Sequence, residues 1–438
     1  MFCSCLEKTS AEKREKKAEA ADIKNRDITI ALVRTSANAS LFAEGALLAL
    51  EEINGELDIK KKNGEIIEIN KKDKEKHEEG GVLIGRKIEH LEIYDDEGKS
   101  DRGTEIANEI SKNLDVIAVI GHRFSSVAIP VSIIYEQQGI VFISTGSTTP
   151  QLTTPLHHYV FRNIPSDKKI GKALAIFAKD HFKRISIFFE RGEYGERLSG
   201  SFREEAEKLG ISIIATRSYF EDQTNFRHLL EDAQDDQLDA IFLAGFLPEA
   251  ADLIKQARRM GLSMPFIAGD ALENPNLWLS AELDAVDTYV AGTFDIYSEG
   301  GKEFIEKFKK RYRCQNEEEK KERNKNCFYV DDIQKKYPHA DEKDENGELV
   351  TYSYAKAAQG YDAVLLLAWA IENSRSTVPL DIASTLKYME KWNGVLGSYS
   401  FTSNGDVKDK EIHIKVLSYN GLFKKETSIS PEEIEKKR

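Results

Sequence analysis

Short apolar runs alternate with longer amphipathic segments from Asp27 onward. Each run holds about five mainly β-branched or aromatic residues and ends in small or polar ones, which is typical of a strand. The runs predicted as strands are Ile28–Val33, Ile88–Tyr94, Val116–Ile120, Ile140–Ile143, Ile185–Phe189, Ser212–Tyr219, Ala240–Ala244, Pro265–Ala268 and Thr288–Ala291. The segments predicted as helices include Leu41–Ile53, Arg102–Lys112, Lys169–His181, Ser199–Leu209, Phe226–Asp235 and Glu249–Met260.

This alternation indicates parallel βαβ units. Bounded apolar runs that are buried on both faces, with helices between them, imply doubly wound sheets and therefore an α/β fold. The chain has 438 residues. That is about three times the usual ~150-residue domain, so we expect two medium lobes or several small domains.

Four stretches lie outside this alternation. Residues 1–26 are charged and rich in Ala, Lys and Glu, and they predict a tether or a frayed helix because they carry too little apolar surface to fold alone. Residues 60–80 and 313–349 are dense in charge and predict solvated insertions at loop positions, where added length costs little. The end of the chain, 426–438, predicts a charged tail.

Composition and charge exclude several classes of protein. Lys and Arg total 62 against 75 Asp and Glu, a net charge of −13, which argues against nucleic-acid binding because phosphate contacts need a basic surface. No apolar run has the ~20 residues of a membrane span, and the first thirty residues hold no signal-peptide core.

The cysteines form two pairs without the CxxC spacing that metal or redox sites use, which argues against a metal site. Cys314 and Cys327 would close a disulfide in an exported protein and would be incidental thiols in a cytosolic one. The sequence alone leaves both alternatives open.

Polar and aromatic residues follow several predicted strands at the edge where open parallel sheets bind ligands. Ser125 and Ser126 precede a helical pattern, where free N–H groups would suit a ligand carboxylate; the alternative is that one serine caps its own helix. Asp270 could balance a ligand ammonium or cap a helix. Dinucleotide, phosphate-loop, zincin and hydrolase motifs are absent, so we do not expect an enzyme.

From about Asp27 to Lys424, apart from the two insertions, the chain resembles the type I periplasmic binding proteins. The likeness is to the leucine/isoleucine/valine-binding branch, which serves ABC importers. It rests on the order and spacing of these stretches: ALLALEEIN, GVLIGRKIEHLEIYDDEG, VIAVIGHRFSSVAIPVSIIYEQQGIVFISTGSTTPQLT, YVFRNIPSD, EYGERLSGSF, FLAGFLPEAADLIKQARRMGL, PFIAGDAL, AKAAQGYDAVLLLAWAIE and GVLGSYSFTSNGDV.

The resemblance implies two doubly wound, Rossmann-like lobes joined by three crossover strands, with ligand captured between them by hinge closure. The crossings would lie near Phe161–Ile164, Val290–Phe294 and Leu396–Ser400. The N-lobe would hold 27–161 and 292–396, and the C-lobe 162–291 and 397–425.

The resemblance also implies the roles of individual residues. The carboxylate of an amino-acid-like ligand would contact Ser125, Gly146, Ser147 and Thr148. Tyr194 and Phe246 would supply aromatic rings, and Asp270 would bind the ammonium. No cofactor and no metal are implied.

The same likeness implies a partner and a location. The partner would be an ABC transporter permease, and the protein would act as a monomer in the periplasm or outside the cell. Cys3 or Cys5, followed by a charged tether, resembles the mature end of a bacterial lipoprotein, which would make a lipid anchor the only membrane contact. The alternative function is a sensory module that reports its ligand to a receptor or regulator, since fold alone does not separate the two.

Overall fold

The computed structural model describes residues 9–35, 41–54, 57–61, 66–71, 86–234, 237–314, 328–329, 354–419, 421 and 423–436. The described helices are α1 Ser10–Ile23, α2 Phe42–Asn54, α3 Ser100–Lys112, α4 Ser125–Gln138, α5 Asp167–His181, α6 Glu193–Lys208, α7 Arg227–Gln234, α8 Glu249–Arg259, α9 Pro275–Ala281, α10 Glu299–Tyr312, α11 Tyr354–Ser374, α12 Pro379–Tyr388 and α13 Pro431–Glu435.

The described strands are β1 Ile28–Arg34, β2 Leu57–Lys61, β3 Ile66–Lys71, β4 Ile88–Asp95, β5 Val116–Gly121, β6 Val141–Ser144, β7 Val160–Arg162, β8 Arg184–Glu190, β9 Ser212–Tyr219, β10 Ala240–Ala244, β11 Phe266–Ala268, β12 Thr288–Gly292, β13 Arg313–Cys314, β14 Phe328–Tyr329, β15 Trp392–Gly394, β16 Gly397–Tyr399, β17 Ile412–Leu417 and β18 Phe423–Ile429.

The first seven-stranded sheet has the order β2-β3-β4-β1-β5-β6-β7. The strands from β4 to β7 pair in parallel, and the order reverses direction at β1, which is the switch point of a doubly wound sheet. Strands β2 and β3 add an antiparallel hairpin to one edge. The insertion predicted over 60–80 therefore contains strand residues, since Lys60 and Lys61 end β2 and residues 66–71 form β3.

The second seven-stranded sheet has the order β18-β17-β12-β11-β10-β8-β9. Its parallel part, β12 to β9, has its switch point at β8, and β17 and β18 complete it in antiparallel pairing. Apolar side chains are buried on both faces of this sheet: Phe188 and Phe266 lie in one cluster, and Phe202 and Phe242 in the other. The rings of Phe202 and Phe242 stack with centroids 3.8 Å apart.

The chain divides into two compact units. Unit 1 comprises Met1–Ile164, Lys356–Gly394 and Ser398–Asp409, and unit 2 comprises Pro165–Ala355, Val395–Gly397 and Lys410–Arg438. The α/β fold class with parallel sheets, predicted from the sequence, is confirmed.

Two segments belong to a different unit from the one that the sequence predicts for them. Helix α10 belongs to unit 2, where Phe304 meets the ring of Phe294 edge to face at 6.1 Å, so the chain passes between units at Ala355 and not near Val290–Phe294. Ser398–Asp409 belongs to unit 1, where Phe401 packs edge to face on Phe161 at 5.3 Å.

Helix α1 is docked on unit 1 and is not a free tether. Its Arg14 side chain is fully buried and donates hydrogen bonds to the backbone carbonyls of Ser111, Asn113, Val116 and Gln138 at 2.6 to 3.0 Å. The tether interpretation is therefore wrong for Ser10–Ile23. This helix has few apolar side chains to bury, but the hydrogen bonds of the buried Arg14 guanidinium attach it to unit 1.

Candidate ligand-binding site

In unit 1, two strand ends approach each other closely. Gly121 closes β5 at φ +142, and a Cβ there would lie 2.0 Å from the carbonyl oxygen of Val33, so only glycine fits. Gly146 follows β6, and a Cβ there would lie 2.7 to 2.8 Å from atoms of Arg123. The loops after β5 and β6 can pack together because both positions are glycine.

These loops bring together the predicted unit 1 residues, which we name the first half-site: Ser125, Gly146, Ser147 and Thr148. Ser147 Oγ donates to Ser125 Oγ at 3.2 Å. Thr148 is 1% exposed, and its hydroxyl has no hydrogen-bond partner in the part of the chain that the structure describes. A buried hydroxyl of this kind costs stability unless something bonds to it.

Ser125 is the first residue of α4, and the N-cap is Phe124, whose side chain makes no capping bond. The sequence predicts the N-cap at Ser125 or Ser126, whereas the observed N-cap lies one residue before Ser125. Ser126 is exposed and Ser125 is buried. The hydroxyl of Ser125 thus lies at the positive end of a 14-residue helix and is not used to cap it.

A buried histidine, His122, lies between the end of β5 and the residues of the first half-site. His122 Nδ1 lies 2.9 Å from Asp96 Oδ2, and its Nε2 lies 2.9 Å from the hydroxyl of Tyr135. Burial raises the pKa of Tyr135 well above its usual range, and the charge of Asp96 adds to this. Both polar ends of the ring are bonded, so His122 fixes the start of the loop and does not reach a ligand.

In unit 2, the predicted residues also come together, and we name them the second half-site: Tyr194, Phe246 and Asp270. The Tyr194 hydroxyl donates to Asp270 Oδ1 at 3.1 Å and accepts the N–H of Ala271 at 3.2 Å. The rings of Tyr194 and Phe246 are 4.8 Å apart and inclined by 31°. Asp270 is partly exposed, and its side chain bonds Tyr194 instead of capping the short helix that it begins.

Burial raises the pKa of Tyr194 well above its usual range, and the charges of Asp270 and Asp167 raise it further. The phenol therefore stays protonated at all ordinary pH values and always has a proton to donate to Asp270. This fixed donor orients one carboxylate oxygen of Asp270, which is the kind of support that a charged binding group needs.

The sequence analysis did not single out Glu190, the last residue of β8. It is 8% exposed, and its Oε2 accepts the N–H of Phe246 at 3.0 Å. Burial raises the pKa of Glu190 to about 7; the Phe246 N–H opposes this shift, and the charges of Glu249 and Glu221 add to it. The available signal was a carboxylate at the end of a mainly apolar strand, ISIFFE.

Other predicted sites lie outside the described residues. Cys3, Cys5 and Cys327 are among them, so neither the disulfide to Cys314 nor the lipid anchor has structural information. Among the described side chains, no three His, Cys, Asp or Glu residues come together to hold a metal ion. No helix in the described part of the chain is both long enough and apolar enough to cross a membrane.

Two α/β units, each with polar side chains gathered at the carboxyl ends of its parallel strands, are the architecture of a two-lobed ligand-binding protein. A family model described as the receptor family ligand binding region matches residues 76–420. The chain belongs to this family and is a solute-binding protein, as the sequence predicts.

Similar proteins agree with this assignment. The chain is 29% identical over 339 residues to the leucine-specific-binding protein of Salmonella typhimurium, covering 76% of this chain and 80% of that protein. A Desulfitobacterium hafniense ABC transporter substrate-binding protein, solved in complex with Leu, is 30% identical with a TM-score of 0.69, covering 91% of this chain and all of that one.

A Streptococcus pneumoniae substrate-binding protein of a branched-chain amino acid transporter, in complex with isoleucine, has a TM-score of 0.69. It is 20% identical, covering 92% of this chain and 99% of that one, and shares the fold. Each of these relatives is by name a binding protein.

Proposed function

We propose that this chain binds an aliphatic amino acid such as leucine and delivers it to an ABC importer. The first half-site would take the ligand carboxylate through its hydroxyls and the N-terminus of α4. The second half-site would take the ammonium on Asp270 and the apolar side chain against the rings of Tyr194 and Phe246.

The observation that carries this proposal is the buried, unpartnered hydroxyl of Thr148 beside Ser125 and Ser147. The hydroxyls of Ser125 and Thr148 and a helix N-terminus offer hydrogen bonds to an anion, and the described residues supply no anion of their own to the Thr148 hydroxyl. On the other unit, Asp270 offers a partly exposed carboxylate that one fixed phenol already orients. The charges of a zwitterion match these two groups.

Ligand analogues that each lack one charge test the proposal. We expect L-leucine to bind, and L-leucinamide and 4-methylpentanoate to bind at least about tenfold more weakly by calorimetry, because each loses one charge-assisted contact. Equal affinity for leucine and leucinamide would contradict the carboxylate role of the first half-site.

A matched pair of variants separates binding from folding. Ser125→Ala should weaken leucine binding, whereas Ser132→Ala should not, since the Ser132 hydroxyl on the same helix donates to the carbonyl of Ile129 at 2.7 Å. If both variants bind leucine like the unmodified protein, Ser125 does not contact the ligand.

We also propose that the protein works outside the cytoplasm as a monomer beside a permease, held to the membrane by a lipid on Cys3 or Cys5. The named relatives that belong to ABC transporters support the permease partner. Light scattering of the purified protein should give the mass of one chain, and replacing both cysteines by serine should release the expressed protein from the membrane fraction.

A further inference from the structure

The buried carboxylate of Glu190 is hydrogen-bonded to the backbone of Phe246, whose ring belongs to the second half-site. Glu190 ends β8, lies opposite Tyr219 of β9, and is nearly inaccessible to solvent. The only hydrogen bond described for its side chain comes from the backbone N–H of Phe246. The ring of Phe246 packs against Tyr194, whose hydroxyl donates to Asp270. The bond between Glu190 and Phe246 therefore helps to fix the position of one ring of the second half-site.

The groups around Glu190 offer it little compensation. The charges that act on it are those of Glu249 on α8 and Glu221 after β9, and both disfavour its ionised form. The hydroxyl of Tyr219 is buried without a partner among the described residues. Strand β10, on the other side of β8, presents only Ala, Ile, Phe and Leu side chains.

Three other charged groups near Glu190 are engaged elsewhere. Arg191, the next residue, donates to Ser218 Oγ at 3.0 Å. Arg217 of β9 donates to Ser186 Oγ at 3.4 Å, and Glu193 of α6 lies 3.6 Å from Arg197. The backbone N–H of Asp222 donates to Glu249 Oε1 at 3.0 Å. A backbone N–H is therefore the group that holds the Glu190 carboxylate.

We propose that Glu190 is a positioning residue for the ligand site, which holds Phe246 in place when ionised and loosens it on taking up a proton, so that ligand affinity falls as pH falls. An N–H bond to a carboxylate is shorter and stronger than one to a neutral carboxylic acid. This inference rests on the proposed amino-acid function, because it names a group that tunes the same site.

The direction of the pH effect follows from the site's charges. A ligand ammonium brought to the second half-site favours a negative Glu190 over a neutral one. By linkage, ionised Glu190 must then favour the ligand. Because the pKa of Glu190 is about 7, this change falls between pH 6 and 8, where an ordinary glutamate is fully ionised.

The first arm of the experiment uses the full chain without ligand. We expect the amide proton shift of Phe246, followed by NMR, to titrate with a midpoint near pH 7 in the unmodified protein and to stay flat in Glu190→Gln. In Glu249→Gln the midpoint should fall, because one repelling charge is gone and the amide oxygen can still accept the N–H of Asp222. Tyr219→Phe is the control, with an unchanged midpoint.

The second arm measures calorimetric affinity for L-leucine between pH 6 and 8. The unmodified protein should bind roughly three- to tenfold more tightly at pH 8 than at pH 6, and Glu190→Gln should bind at all pH values about as the unmodified protein does at pH 6. The midpoint in Glu249→Gln should shift in the same direction as in the first arm.

The outcomes separate the two proposals. A Phe246 amide that does not titrate, or a Glu190→Gln variant that keeps the pH dependence of affinity, overturns the role of Glu190. A titrating amide combined with no binding of leucine or any other amino acid overturns the proposed function and, with it, the coupling to an amino-acid ligand. Titration in both arms with the Glu249 shift supports both proposals.

Discussion

Removing the hydroxyl of Thr148 should change the stability of the protein and its affinity for ligand in opposite directions. Thr148→Val replaces the hydroxyl by a methyl group of nearly the same shape at a position that is 1% exposed. An unpartnered buried hydroxyl costs about 1–3 kcal/mol. The variant should therefore be more stable than the unmodified protein by about 1 kcal/mol, which corresponds to a rise in melting temperature of about 2–4 °C.

The same substitution should weaken leucine binding. If the ligand carboxylate is the partner of this hydroxyl, its loss removes a hydrogen bond to a charged group, worth about 1.5–3 kcal/mol. Affinity should fall by about ten- to a hundredfold. Thr148→Ser, which keeps the hydroxyl, should retain most of the affinity.

Thr288→Val is the matched control. Thr288 is also fully buried, and its hydroxyl has no partner among the described residues. It is the first residue of β12 and pairs with Phe266, the first residue of β11, whereas Asp270 follows the other end of β11. It should be stabilised by a similar amount and bind leucine normally. Scanning calorimetry and titration calorimetry measure both quantities. A Thr148→Val protein that melts early, or that binds leucine normally, refutes the reasoning.

Three further predictions concern other parts of the chain. Asp270→Asn should lower leucine affinity about ten- to a hundredfold while leaving affinity for 4-methylpentanoate nearly unchanged, and early melting with normal binding would instead make Asp270 structural. Arg14→Met should destabilise unit 1 in urea by about 3–5 kcal/mol because four backbone carbonyls lose the buried guanidinium that donates to them, whereas Lys17→Met, at an exposed pair with Asp115, should cost at most about 1 kcal/mol. Burial lowers the pKa of His413 to about 4, compared with about 6.5 in the unfolded chain. Between these two values the unfolded state binds more protons than the folded state, so the stability of the unmodified protein should fall from pH 6.5 towards pH 4. The fall should be smaller in His413→Gln.

Glu190 acts on stability with the opposite sign to His413. Its folded pKa lies above the unfolded value, so its contribution is present at low pH and is lost as pH rises from about 4.5 to about 7. Urea unfolding of His413→Gln and Glu190→Gln at pH 5 and pH 8 therefore separates the two effects. If His413→Gln shows the same acid sensitivity as the unmodified protein, other groups account for it.

The central strands could be read from the sequence because they are buried on both faces. Val116–Gly121 is buried at every position, and its apolar run stands out without any knowledge of its neighbours. Strand β17 was not predicted, since IHIKVL places His413 and Lys415 inside the fold. Their burial depends on Ser428 and Glu273, which are distant in sequence.

The candidate site shows the same limit. The strand-end rule pointed to Tyr194 and Asp270 as separate residues, because the rule needs only the ends of β8 and β11. It could not give the hydrogen bond between them, since that bond depends on how α6 packs over the sheet. Glu190 was passed over because an acid at the end of a strand is usually exposed.

Arg14 also has a consequence for the order in which the molecule folds. The carbonyl of Gln138, one of its acceptors, lies 124 positions later in the chain, and Thr377, which donates to Asp22 on the same helix, lies 355 positions after that carboxylate. Helix α1 can dock only on a surface that later segments have built. Helix α1 leaves the ribosome before its docking surface does and is therefore among the last segments to reach its place, and its docking marks the completion of unit 1.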